Sequence, residues 1–275
     1  MLATTRAYGL DFTYPQRDAV VGKALAVYGE FAPMIPEFFL ALAGEPTGAL
    51  IDVGANIGAI ALPFAKHRPA WKVIAIEAHA GLAELLERNA AANGLGNVQA
   101  LHAAAGPEAG AVDFPDPPLD QDFNYGHTGF HMADLPTRST RMVRLDDIAP
   151  ADTRVIKVDV EGYEPEVLKG GRALIEARQA VWFVEVTMEN AEAKRAVIET
   201  FLAADYQVGW FFAPFVRPTP AKGVRVDNPY LGDANIVALP RTVRCPWPVP
   251  RCVSPDEERP GAIGSYAYLK RYGFS

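Results

Sequence analysis

The sequence is poor in the residue types that define several protein classes. Its 275 residues include two cysteines and five histidines. Two cysteines, Cys245 and Cys252, are too few for a tetrahedral structural zinc site, and we expect both to be free thiols. No apolar run reaches the ~18 residues of a transmembrane helix, and the N-terminus lacks the pattern of a signal peptide. We therefore expect a cytoplasmic protein with no membrane span.

Basic charge is also scarce. The chain has 26 lysines and arginines against 33 aspartates and glutamates, which gives a formal net charge of −7. Proteins that bind nucleic acid usually present a basic surface, so we expect no nucleic-acid partner. The hydrophobic share of 49% is enough for a substantial core in one main domain. A small molecule or glycan is the expected substrate, and the sequence leaves the oligomeric state open.

The most informative segment is "ALIDVGANIGAIALPFAKH", residues 49–67. An apolar run typical of a buried strand ends at Asp52, turns through Gly54 and Gly58, and continues with apolar residues at helical spacing. In α/β proteins such a strand, turn and helix hold a nucleotide-like ligand. A dinucleotide site requires three glycines at fixed spacing. Here an acid stands at the strand end, which suits a cationic amine.

A second acid supports this interpretation. Glu77 closes the next strand-like run, "WKVIAIE", over residues 71–77. A carboxylate at the tip of the second strand can accept hydrogen bonds from both hydroxyls of a ribose. An amine, a carboxylate and a ribose diol together describe S-adenosylmethionine better than NAD.

The elements that follow alternate as a doubly wound α/β sheet requires. The sequence predicts a helix over 79–96, strands over 97–106, 154–160 and 179–187, a helix over 191–206, and a closing antiparallel pair over 207–215 and 234–240. Between them lies a proline-, glycine- and aromatic-rich segment, residues 115–140, for which we expect a loop or lid. Residues 1–48 carry weak helical signals and are expected to cap the ligand crevice. Residues 241–275 form a proline-rich tail.

The second motif is "VIKVDVEGYEPEVLKGG", residues 155–171. Side chains alternate along a strand, so Lys157, Asp159 and Glu161 are expected on one face near its carboxyl end. A buried lysine requires a partner, and Asp159 is the natural one. The group can be a structural ion pair, the lining of a crevice, or both.

Together the motifs "IDVGANIG" and "IKVDVEGYEPEVLKGG", with Glu77 between them and "VRLDDI" at 143–148, resemble the FkbM family of S-adenosylmethionine-dependent methyltransferases. The resemblance spans roughly residues 49–240, which we take as the methyltransferase domain. It implies a class I methyltransferase (Rossmann-like) fold of the α/β class, with seven strands of which the last is antiparallel. It also implies, as the usual activity, O-methylation of sugars, glycolipids or natural-product hydroxyls.

The resemblance also implies which residues bind S-adenosylmethionine. Three groups correspond by position: Asp52, Gly54, Asn56 and Gly58 to the methionine moiety, Glu77 to the ribose, and His102 and Ala103 to the adenine. One departure is that the family pattern commonly continues "IEP", whereas Ala78 and His79 follow Glu77 here. The ribose-side turn is therefore expected to differ.

Methyl transfer to a hydroxyl also requires a proton acceptor, and a positioned base typically contributes about 10²–10⁴-fold. The candidate catalytic residues are Lys157 as electrostatic organiser and, as bases, Asp159, Glu161, Glu185, His127 and His131. The last two lie in the lid-like segment. Glu185 can instead be a buried acid paired with Lys157. Clustered acids can bind Mg²⁺, but this cluster contains no histidine and we expect no metal.

Two alternatives remain open. One is N- or C-methylation of a peptide or amine natural product, because the acceptor is selected by the loop and flanks. The other is a non-catalytic, cofactor-binding scaffold in a biosynthetic assembly. The intact carboxylates at 159, 161 and 185 argue against the scaffold.

Overall fold

The computed structural model describes residues 1–132, 134–188 and 190–275. The strands are β1 (Leu2–Ala7), β2 (Leu10–Pro15), β3 (Gly48–Val53), β4 (Trp71–Glu77), β5 (Val98–His102), β6 (Ala104–Ala105), β7 (Gly110–Pro115), β8 (Thr137–Val143), β9 (Thr153–Val158), β10 (Val181–Glu185), β11 (Gln207–Pro214), β12 (Gly232–Leu239) and β13 (Arg251–Cys252). The α-helices are α1 (Val21–Tyr28), α2 (Met34–Leu42), α3 (Ala61–His67), α4 (Ala80–Ala92), α5 (Leu145–Ile148), α6 (Glu164–Gly170), α7 (Arg172–Ala177) and α8 (Ala191–Ala203).

The main sheet has the order β13-β11-β12-β10-β9-β3-β4-β5. Strands β10, β9, β3, β4 and β5 are mutually parallel, and β12 runs antiparallel between β10 and β11. The expected α/β sheet with an antiparallel closing strand is confirmed, and the two-residue strand β13 adds an eighth strand beyond the seven expected. Every residue of β3 and of β10 is buried, which explains why these strands are apolar apart from Asp52 in β3 and Glu185 at the end of β10.

The turn after β3 is longer than the sequence predicts. The apolar spacing places the helix directly after Gly58, but α3 begins at Ala61. Asn56 and Gly58 have φ angles of 51° and 92°. These angles lie outside the right-handed helical region, so the backbone cannot enter a helix until it has passed both residues.

The first 48 residues differ from the expected helical pattern. Strands β1 and β2 pair as an antiparallel hairpin, and only then do α1 and α2 follow. The side chain of Asn89 on α4 holds this hairpin: its Oδ1 accepts a hydrogen bond from the Thr13 amide at 2.7 Å, and its Nδ2 donates to the Thr13 carbonyl at 3.0 Å. The hairpin is therefore attached to the helix that follows β4.

The segment 115–140, expected as one loop, ends in a strand. Strand β8 starts at Thr137 and pairs antiparallel with β7, while β6 pairs parallel with β8, so that a second, three-stranded sheet forms. The loop between β7 and β8 contains a short 3₁₀ turn, Tyr125–His127, and its residue 133 lies outside the described residues. Tyr125 is buried and donates a hydrogen bond from its hydroxyl to the Pro118 carbonyl at 2.8 Å. The Tyr125 ring also packs edge-on against the ring of His79 at the start of α4, with centroids 6.0 Å apart, so the loop is packed against the body of the protein.

The tail, residues 241–275, is docked on the sheet. Strand β13 pairs with Val208 and Gly209 of β11. Farther along, the Tyr268 hydroxyl accepts a hydrogen bond from the Phe212 amide and donates one to the Phe212 carbonyl, both at 2.8 Å. Both cysteines are free thiols, as expected. Within the described part of the chain, no helix has the length and apolar character needed to cross a membrane.

Candidate functional site

A cavity of about 410 Å³ opens where the parallel strands end. The turns after β3, β4, β9 and β10 contribute to its wall, and so do the β7–β8 loop, the start of β12 and the tail. Crevices at the carboxyl ends of such strands are the usual ligand sites of open α/β sheets. The predicted site residues that line it are Gly54, Asn56, Glu77, Ala103, His127, Lys157, Asp159, Glu161 and Glu185.

The turn after β3 approaches a neighbouring turn very closely. A Cβ atom on Gly54 would lie 1.8 Å from the Asp159 carbonyl oxygen, so only glycine fits. Gly54 and Asn56 face the cavity, and Asn56 Oδ1 accepts a hydrogen bond from the Ile57 amide at 2.8 Å. Gly58 does not line the cavity, because it packs against Leu62, whose Cγ would lie 2.6 Å from an added Cβ. Gly58 therefore contributes to the site indirectly, because it sets the shape of the turn.

Glu77 stands at the end of β4 with its carboxylate toward the cavity. Oε2 accepts a hydrogen bond from the Asn56 amide at 2.8 Å, and Oε1 accepts one from the His79 amide at 2.9 Å. Burial raises the pKa of Glu77 to about 7 despite these bonds. Each oxygen keeps a second lone pair, so the carboxylate can still accept two hydrogen bonds from a ligand.

The two residues predicted to face adenine separate in the structure. Ala103 is buried and lines the cavity, whereas His102 does not line it and is exposed, with its Nε2 3.1 Å from the Ala78 carbonyl oxygen. The turn that departs from the family pattern has its own function: His79 is the N-cap of α4 and accepts hydrogen bonds from the amides of Gly81 and Leu82. At the start of α4 this chain thus has a histidine N-cap where the family pattern has a turn with proline.

Lys157 connects two sides of the site. Its Nζ lies 3.1 Å from Asp52 Oδ1 and 3.1 Å from Asp159 Oδ2, and its side chain is 3% exposed. Burial favours the neutral amine, but the two carboxylates more than offset this effect and raise the pKa of Lys157. Asp52 is completely buried and does not line the cavity. Its carboxylate faces the Lys157 amine, and not the amine of a ligand as predicted.

Three acids come close together at the carboxyl ends of β9 and β10. One oxygen each of Asp159, Glu161 and Glu185 lies within 4.8 Å of the other two. Burial first, and the neighbouring negative charges second, raise the pKa of Glu161 to about 9 and that of Glu185 well above its usual value. Glu185 is not bonded to Lys157, so the expected alternative of a Lys157–Glu185 pair is wrong. The lysine is occupied by the two aspartates.

The histidines of the β7–β8 loop lie above these acids. His127 Nδ1 is 2.6 Å from Glu161 Oε2, so the two side chains share a hydrogen bond. The His131 ring is 4.9 Å from the His127 ring, centroid to centroid. His131 does not line this cavity but a more open neighbouring one, which shares Glu161 and Tyr163 with it. His127 is therefore the histidine that contacts an acid of the motif.

Several cavity residues were not predicted. Three of them carry a buried oxygen that has no hydrogen-bond partner among the described residues: Asn124 Oδ1, Thr128 Oγ1 and Thr187 Oγ1. The same is true of Oε2 of Glu185, which was predicted. Asp233 and Arg259 also line the cavity. Asp233 lies at the start of β12, and because that strand is antiparallel its start meets the carboxyl ends of its neighbours. The predicted antiparallel strand over 234–240 therefore indicates that residues just before it lie near the site. Nothing in the sequence indicates Arg259, which comes from the tail.

Asp233 gives the site a pH dependence. Burial and the charge of Asp159 raise the pKa of Asp233 to about 7. A carboxyl whose pKa is higher in the folded than in the unfolded chain lowers the free energy of unfolding as the pH rises through that interval. We expect Asp233→Asn to become stabilising, relative to wild type, as the pH rises from 5 to 8. Urea unfolding at both pH values measures this, with exposed Asp227→Asn as control; parallel pH profiles of Asp233→Asn and wild type would contradict it.

A family profile and several solved structures resemble this chain. The sequence profile described as "Methyltransferase FkbM domain" matches residues 52–208, and no curated protein compared with the chain matches it. A solved FkbM methyltransferase from Methylobacillus flagellatus KT is 19% identical, with a TM-score of 0.44, and the match covers 70% of this chain and 44% of that one. Precorrin-6y C5,15-methyltransferase from Geobacter metallireducens GS-15 is 12% identical, with coverages of 75% and 86% and a TM-score of 0.48. An S-adenosylmethionine-dependent O-methyltransferase from Thermotoga maritima is 15% identical, with coverages of 75% and 65% and a TM-score of 0.44.

The fold is that of a class I methyltransferase. Within that class, the chain belongs to the FkbM methyltransferase family, since the matched profile spans more than half of its length. The chain spans less than half the length of the first solved relative.

Proposed function

We propose that this protein transfers a methyl group from S-adenosylmethionine to a hydroxyl oxygen of a sugar, glycolipid or secondary metabolite. One observation carries the proposal: a hydrogen-bonded His127–Glu161 pair lines the same cavity as the Glu77 carboxylate and the glycine turn after β3. A proton acceptor and a nucleoside-binding edge therefore share one compartment.

The residues present fit the methyl donor. Glu77 has free acceptor capacity for a ribose diol, and Ala103 offers a small apolar surface at the end of β5 where a flat base can lie. The turn that contains Gly54 and Asn56 would hold the methionine moiety. Asp52 and Gly58, which lie behind this turn, would fix its shape through Lys157 and through packing.

When bound, S-adenosylmethionine supplies an electrophilic methyl group on a sulfonium. The chain then has to hold the acceptor oxygen in line with that methyl and remove the hydroxyl proton, and positioning alone can be worth effective molarities of ~10⁵ M or more. We assign proton removal to His127, with Glu161 holding the imidazole ring in place through their hydrogen bond. Lys157 keeps Asp159 in place and belongs to the supporting framework.

The acceptor side of the cavity favours a polyhydroxylated molecule. Thr128, Thr187 and Asn124 present buried oxygens that lack partners within the described residues, and such groups discriminate strongly for ligands that hydrogen-bond to them. Phe130 packs against Tyr163 with ring centroids 4.4 Å apart, which gives this side an aromatic wall. Sugar rings combine hydroxyls with an apolar face and match both features.

The activity test uses the purified chain and labelled S-adenosylmethionine. Glycosides and alcohol-bearing secondary metabolites form one acceptor panel, and peptides and amines form the other. We expect label in the first panel, in a product with a new methyl ether. Transfer only to nitrogen or carbon would replace O-methylation by the first alternative, and binding of the donor with no transfer to any acceptor would favour a scaffold.

A separate prediction concerns the donor. We expect Glu77→Gln to weaken binding of S-adenosylhomocysteine by roughly tenfold or more, because each hydrogen bond to a charged acceptor is worth about 1.5–3 kcal/mol. Calorimetry on the folded variant measures the dissociation constant. Exposed Glu84 lies on the following helix, and Glu84→Gln is the matched control. Unchanged affinity in Glu77→Gln would remove Glu77 from the site.

A further inference from the structure

Three carboxyl groups form a compact set at the acceptor side of the cavity. Asp159 and Glu161 come from the turn after β9, and Glu185 is the last residue of β10. One oxygen of each lies within 4.8 Å of one oxygen of the other two. Since β9 and β10 are adjacent and parallel, the sheet itself fixes this arrangement.

A second observation distinguishes this set from an ordinary acidic patch. Glu185 is only 8% exposed, its carboxyl group interacts with that of Asp159, and its buried Oε2 receives no hydrogen bond from a donor group among the described residues. This oxygen belongs to a side chain aimed into the cavity. A buried carboxyl oxygen without a donor is costly, and native folds rarely leave one without a partner.

The described cations balance only part of the acidic groups around the cavity. Five carboxyl groups line the cavity: Glu77, Asp159, Glu161, Glu185 and Asp233. Within the described residues, two permanently cationic side chains, Lys157 and Arg259, also line the cavity. Lys157 is already bound between Asp52 and Asp159, and the Arg259 guanidinium lies over the Phe212 ring, 5.3 Å from its centroid.

We propose that Asp159, Glu161 and Glu185 bind a divalent, oxygen-preferring cation, Mg²⁺ in the first instance. Ligand oxygens around an octahedral Mg²⁺ are about 3 Å apart when adjacent and about 4.2 Å apart when opposite, so small side-chain rotations bring the three acids into range. The sequence predicts no metal because the cluster has no histidine, but Mg²⁺ is satisfied by carboxylates and water. A cluster of carboxylates without histidine therefore favours Mg²⁺ over metals that prefer nitrogen ligands.

The role of the ion, unlike its binding, rests on the proposed O-methylation. Bound beside the acceptor, Mg²⁺ polarises a coordinated hydroxyl and makes its proton easier to remove. His127 then receives that proton, while Glu161, bonded to both the ring and the ion, aligns the two. The acceptor is thus a molecule whose reacting oxygen can bind a hard cation.

The binding test uses the full chain, treated with a chelator and then titrated with Mn²⁺, whose free form is measured by electron paramagnetic resonance. We expect one site per chain from which Mg²⁺ displaces Mn²⁺. Glu185→Gln and Asp159→Asn should each weaken Mn²⁺ binding about tenfold or more, since even outer-shell changes cost 10–100-fold. Exposed Glu87→Gln on α4 is the control and should bind as wild type.

Circular dichroism and binding of S-adenosylhomocysteine show whether each variant is folded, and Glu161→Gln serves as the third ligand variant. Absence of Mn²⁺ binding at millimolar concentration, or wild-type binding by all three folded ligand variants, would overturn the site. Site-dependent binding supports it whether or not an acceptor is found. Methyl transfer to a hydroxyl that is unaffected by chelation would overturn the assigned role of the ion while O-methylation stands.

Discussion

Replacing Lys157 by methionine is expected to reduce the free energy of unfolding by about 3–5 kcal/mol, the usual cost of breaking a buried ion pair. The substitution leaves Asp52 completely buried without its cationic partner and removes the group that holds Asp159. Urea unfolding measures the change. Lys169→Met is the matched control, because Lys169 pairs with Glu166 on the surface and exposed pairs contribute about 0–1 kcal/mol.

A second substitution identifies the origin of this loss. Adding Asp52→Asn to Lys157→Met removes the uncompensated buried charge, so the double variant should regain part of the stability. If Lys157→Met unfolds at the same urea concentration as wild type, the ion pairs of the Lys157 amine with Asp52 and Asp159 do not stabilise the fold. If the double variant is less stable than Lys157→Met, the loss comes from packing.

The largest expected effect on rate comes from His127. We expect His127→Gln to slow single-turnover methyl transfer by about 10²–10⁴-fold, which is the usual contribution of a positioned base. Binding of S-adenosylhomocysteine should stay at its wild-type affinity, because the ring lies at the acceptor side, bonded to Glu161. Rapid quench with labelled donor and the identified acceptor gives the rate.

His67→Gln is the control for this experiment, since His67 is exposed at the end of α3. A wild-type rate in His127→Gln would move proton removal to another group, and His131→Gln then becomes the next variant. Equal losses of rate and of donor affinity would instead show that the β7–β8 loop positions the donor. Mn²⁺ binding by His127→Gln remains at the wild-type level if the three acids alone hold the ion.

The sequence predicts the central sheet well because its signals are local. The residues before Asp52 in β3 and residues 73–76 before Glu77 in β4 are continuous apolar runs, and a strand buried on both faces requires such runs. The partner of Asp52 is not a local property. Lys157 is more than a hundred positions away along the chain and lies beside Asp52 only because β3 and β9 are adjacent in register.

The parts of the site that the sequence does not predict come from loops and from the tail. Thr128 and Asn124 acquire their positions from a loop whose path is set by its packing, including the buried Tyr125. Arg259 reaches the cavity only because the tail is docked on β11. The positions of these three residues do not follow from residue spacing, because no periodic pattern governs an irregular segment.

The contacts of the tail with β11 have a consequence for the solubility of the chain. Strand β11 is followed in the sheet order only by the two-residue strand β13, so most of its outer backbone edge would otherwise be unpaired. The Tyr268 hydroxyl satisfies both the amide and the carbonyl of Phe212, much as a neighbouring strand would. An unprotected apolar edge invites pairing with another chain. The tyrosine therefore acts as a cap against edge-to-edge aggregation, and a chain shortened before it would lose solubility before it lost its catalytic groups.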